Sequence, residues 1–161
     1  MSLFQTPPFD VLADQKEIYP GFGEVLPDSP DRLDRFRKLA DNALIRIQEG
    51  FVSDSLLLNI QPETLDDLVQ QMWAEGWDPE SGDVNFFVTD FGLVLTQMLQ
   101  ELVGGQLVFR SENDLNHISL YWPDRSLEVF PFHKSFKCLT VKEGESFRLF
   151  VQGVSKLISN K

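Results

Sequence analysis

The segment from Val84 to Val103 limits what this chain can fold into more than any other, because its polar side chains are few: Asn85, Thr89, Asp90, Thr96, Gln97, Gln100 and Glu101. Apolar residues then cover most of a helical circumference, and such a helix is stable only with neighbours on more than one side. It reads as the central helix, ended by Gly104-Gly105. Gly92 in its interior forgoes about 1 kcal/mol of helix propensity relative to alanine, so a second element is expected to approach closely there. A chain of 161 residues, 42% of them hydrophobic and fourteen of them Phe, can enclose such a helix in a single aromatic-rich core.

Two helices are expected before it. Asp28-Ser29-Pro30 is a start signal, since a capping side chain precedes a proline whose φ suits the first helical position. Leu33, Phe36, Ala40, Ala43, Leu44 and Ile47 follow at helical spacing, and Gly50 stops the run. The next helix starts at Pro62, carries Glu63, Asp66 and Asp67 near the positive end of its dipole, presents Leu65, Leu68, Val69, Met72 and Trp73 as one stripe, and ends at Gly76. Residues 51–61 between the two read as irregular or briefly extended.

After Gly105 the periodicity changes from helix to strand. Gln106 to Ser111, His117 to Trp122 and Ser126 to Phe130 read as short strands; in the second, Ile118, Leu120 and Trp122 share one face. Pro123-Asp124 and Glu112-Asn113-Asp114 supply turns too short for a parallel return, so the strands form an antiparallel meander. Phe132 to Leu139 reads as a short helical turn. Phe147, Phe150, Val151, Val154, Leu157 and Ile158 mark a last helix. The fold class expected is α+β: a single domain over residues 29–161, with about four main helices around a three-stranded meander, preceded by an extended arm over residues 1–28. The arm contains Pro7, Pro8, Pro20 and Pro27, which break helices, and Phe4, Phe9, Tyr19 and Phe22, which favour lying against the domain.

Charge is unevenly placed. The chain has 25 acidic and 14 basic residues. Between Arg46 and Arg110 there is no Lys or Arg, yet there are eleven carboxylates. That run repels phosphate backbones and speaks against nucleic acid as a partner. A solvated face that keeps the chain in solution, a docking face for a basic protein and cation binding each account for it. His133, Lys134, Lys137 and Lys142 gather positive charge later in the chain, either balancing the acids within the monomer or forming a small anion or partner site.

Signals of dedicated chemistry are weak. No pair of His117, His133 and Cys138 has metal-ligand spacing, and no cofactor or metal is expected. Asp78, Glu80 and Asp83 resemble part of a calcium loop, but Gly82 comes one place early and Thr89 stands where the closing Glu belongs. There is no glycine-flanked serine elbow, and Gly21-Phe22-Gly23 lacks the lysine of a phosphate loop. Cys138 with His133 reads as a partly buried thiol and a surface imidazole. No stretch reads as reaching the ~20 apolar residues that cross a bilayer. The N-terminus has no basic start or apolar run, and a lone Cys138 permits no internal disulfide, so a cytoplasmic location is expected.

Phe91-Gly92-Leu93 through Gly105, the three strands, Pro131-Phe132 with Lys137, and Glu145-Ser146-Phe147-Arg148-Leu149-Phe150 together resemble a group of small uncharacterised bacterial domains. The likeness spans about residues 86–157. It implies a glycine-bearing helix leading into a short antiparallel sheet and a final helix, and it carries no catalytic residues. Some members look like immunity or accessory proteins of toxin systems, which implies a binding role.

The function expected is therefore non-enzymatic binding of a basic protein through an acidic face. The residues expected to form it are Glu63, Asp66, Asp67, Asp78, Glu80 and Asp83, with Trp77 as aromatic anchor. Two alternatives stay open. One is a hydrolase using Asp78, Glu80 and Asp83 with His133 as helper, which requires these groups to converge. The other is a structural component of an assembly, whose mark would be a large exposed apolar patch.

Overall fold

A computed structural model describes residues 18–20, 30–50, 60–109 and 118–159. In chain order these form β1 (Ile18–Pro20), α1 (Pro30–Gly50), α2 (Pro62–Ala74), α3 (Val84–Val103), β2 (Gln106–Phe109), β3 (Ile118–Trp122), β4 (Leu127–Val129), α4 (Pro131–Thr140) and α5 (Phe147–Ser159). The α+β class and the β2-β3-β4 meander are as the sequence leads one to expect. Residues 51–59, like the turn at 112–114, lie outside the described residues.

Two elements differ from expectation. The sheet has a fourth strand: β1, from the N-terminal arm, pairs antiparallel with β4, giving the order β1-β4-β3-β2. The segment read as a helical turn is a ten-residue helix, α4, with Phe132, His133, Ser135, Cys138 and Leu139 buried. Its buried side includes the polar residues His133 and Ser135 beside Phe132, Cys138 and Leu139, which blurs the apolar stripe in so short a segment.

Helix α3 is the hub, packing most extensively against α4 and α1 and also touching α2, α5 and β3. It is long and apolar enough to cross a membrane by length and composition, contrary to the sequence reading, but more than half of it is buried inside the fold. Phe91, Leu93, Leu95 and Leu99 on it are fully buried, and Phe91 stacks on Phe147 of α5 with centroids 5.9 Å apart.

The close approach implied by Gly92 is made by α4. A Cβ at position 92 would lie 2.4 Å from the Phe132 ring. Next to this contact, Ser135 Oγ donates to the Val88 carbonyl at 2.7 Å, joining the two helices by a buried hydrogen bond. Gly105 serves the other end of α3. Its φ of +92° suits glycine, and a Cβ there would meet Trp122 at 2.7 Å. The Trp122 indole in turn donates to the Val103 carbonyl at 3.1 Å. Ile118, Leu120, Trp122 and Val129 point from the sheet into the core.

Candidate functional site

Helix α2 ends in a Schellman arrangement: Gly76, at φ +96°, donates to Trp73 O at 3.2 Å, and Trp77 donates to Met72 O at 2.9 Å. This turns the chain back so that the Trp77 indole reaches α4, where Nε1 donates to the Leu139 carbonyl at 2.7 Å. Trp77 is half-buried and fixed, with its ring edge-on to Phe87 at 5.2 Å; Phe86 meets Phe87 edge-on at 5.4 Å. These rings line a groove of about 710 Å³ between the last turn of α1, the end of α2 and the first turns of α3.

Carboxylates rim the groove. Glu49, Glu75, Asp78 and Asp83 all line it and are exposed. Asp78 also shapes its loop by accepting from the Glu80 backbone N–H at 2.9 Å. Asp90 is buried in the wall and is met by Arg46, whose Nε and a terminal nitrogen donate to its two oxygens at 2.9 and 2.8 Å. Hydrogen bonding to Asp90 raises the Arg46 pKa above its ordinary value, outweighing the opposing effect of burial, so this guanidinium stays protonated. The Arg46 guanidinium carbon stands 5.8 Å from the Phe86 centroid.

The seven residues expected from sequence fall into two groups. Trp77, Asp78 and Asp83 line the groove, and Glu80 is exposed on the same loop without lining it. Glu63, Asp66 and Asp67 line a separate depression at the start of α2, together with the bases Lys142 and Arg148. Asp66 is engaged in the fold rather than in an open face. Its carboxylate accepts from Phe147 N at 2.7 Å, Ser146 Oγ at 2.8 Å and Arg148 N at 3.1 Å, capping α5.

The basic cluster is also divided. His133, read as a surface residue, is only 4% exposed and stacks on Phe130 at 5.3 Å. Lys134 pairs with Glu145 and lies over the Phe150 ring. His133 does not line the groove, so the residues required for the hydrolase alternative do not converge there. Among the described residues no three His, Cys, Asp or Glu side chains are placed to hold a metal ion. Among the described residues, the exposed large apolar side chains other than Phe86 are spread over α1, α3, α5 and the turn after α4.

No family model, curated protein or solved structure matches the chain.

Sequence reasoning missed Phe86, Arg46 and Asp90. A signal was present: Asp83, Phe86 and Asp90 stand three and four residues apart, one face of a helix. The apolar character of the whole segment hid it, because Phe86 reads as core in such a context although it is 52% exposed.

Proposed function

We propose that the protein is a non-enzymatic binding protein that docks a basic protein segment in the groove at the α2–α3 loop. The observation that supports this reading is the union of a fixed aromatic floor with a rim of exposed carboxylates, in a part of the chain that has no base between Arg46 and Arg110. Opposite charge speeds encounter with a basic partner and makes it salt-dependent, while aromatic contact area slows dissociation. Trp77, Asp78 and Asp83 carry the interaction, joined by Glu49 and Glu75. The resemblance to bacterial immunity and accessory domains favours a toxin-like partner in the cytoplasm.

The experiment is affinity capture from the native host at low and high salt, with the wild-type chain and with Asp78→Lys/Glu80→Lys/Asp83→Lys. A basic protein should be retained by the wild type at low salt, and lost both at high salt and by the triple variant. Capture of the same proteins by both chains at either salt concentration would refute acidic docking.

A further inference from the structure

The groove shows how it treats one guanidinium, and the same face of α3 offers that arrangement a second time. Phe86 is flanked on its helix by two carboxylates, Asp83 three residues before it and Asp90 four residues after, and these spacings put all three on one face. The half toward Asp90 is filled. Arg46 forks onto both Asp90 oxygens at 2.9 and 2.8 Å and lies 5.8 Å from the Phe86 centroid. The half toward Asp83 has a carboxylate and the same ring without such a cation among the described residues. Asp83 is exposed and makes no side-chain capping bond, and Phe86 retains 52% of its surface to solvent even with Arg46 beside it.

Charge selects a cation for this position, and the ring selects among cations. A guanidinium is planar, weakly hydrated and forked, so it can lie against an aromatic face while pairing in its own plane with a carboxylate. An ammonium is a compact, strongly hydrated charge that gains less from the ring and cannot pair through a fixed fork. Trp77 and Phe87 continue the apolar floor beneath, where the methylene stem of a long side chain would rest.

Building on the docking reading above, we propose that Asp83 and Phe86 form an arginine subsite, which takes a guanidinium from the basic partner as Asp90 and the same ring take Arg46. The partner's docking segment is thus arginine-bearing, and lysine does not substitute for it at equal charge.

The test is a low-salt titration of the full chain with two blocked hexapeptides of equal charge, one carrying two arginines and one two lysines, followed by amide chemical shifts in α3. The arginine peptide should bind at least threefold more tightly, with its largest shifts between residues 83 and 90. Phe86→Ala removes a half-exposed ring and leaves the core intact; it should bring the arginine peptide down to the lysine value. Asp83→Asn, which keeps a side chain suited to a helix start, should weaken the arginine peptide several-fold. Equal affinity of the two peptides for the wild type would overturn the arginine subsite and leave acidic docking standing. Failure of both peptides to shift any groove resonance would overturn both.

Discussion

At position 92 a methyl group has nowhere to go. It would stand 2.4 Å from a carbon of the Phe132 ring, and that ring is itself fully buried, so it has no room to withdraw. Alanine improves helix propensity by about 1 kcal/mol, while overpacking a dense core costs roughly 1–3 kcal/mol. The steric cost prevails because the obstacle is a buried ring rather than a flexible chain end. Gly92→Ala is expected to lower the thermal midpoint by about 3–6 °C, measured by circular dichroism. A rise in the midpoint would show that α4 can yield. The need for a close neighbour is legible in the bare glycine of an apolar helix. The identity of the neighbour is not, since Phe132 is brought there by three intervening strands. Phe86 illustrates the opposite difficulty: nothing local distinguishes it from its buried neighbours Val88 and Phe91, and only the position of α1 and α2 decides which rings meet water.

Among the elements, α5 shows how a long-range contact can change the meaning of a residue. Asp66 looks like a member of an acidic surface because it stands beside Asp67 and near Glu63 on α2. Its three hydrogen bonds to Ser146, Phe147 and Arg148 instead fasten the start of α5 to α2. A charged cap accepting two backbone N–H groups is worth about 1–2 kcal/mol. Asp66→Ala should therefore lower the unfolding free energy by that amount, read as a lower denaturant midpoint at unchanged slope, and speed amide exchange in the first turn of α5, while peptide binding in the groove is unchanged. An unaltered midpoint would show that water replaces the cap at no cost. Periodicity is sufficient for α1, α2, α3 and α5 because each has a long apolar face, widest on α3. It is insufficient for α4, whose ten residues bury His133 and Ser135 beside Phe132, and for β1, whose partner strand lies roughly 110 residues further along the chain.

In the molecule as a whole, α3 is the element with neighbours in every other layer: α1, α2, α4, α5 and β3 all contact it. Local opening cannot expose its amides without separating those layers, so their exchange is tied to unfolding of the entire domain. Amides between Val88 and Leu99 should be the slowest to exchange with deuterium, those of α5 and the sheet edges faster. Faster exchange in α3 than in α5 would place the stable centre elsewhere.

The pairing of Ile18 with Val129 also sets a clock. On the ribosome β1 is made roughly 110 residues before β4, the strand it pairs with. At ordinary elongation speeds that interval is on the order of ten seconds, far longer than a strand needs to pair once its partner is present. The segment that forms β1 therefore waits for β4 through that whole interval, and the sheet gains this strand only once β4 has been made.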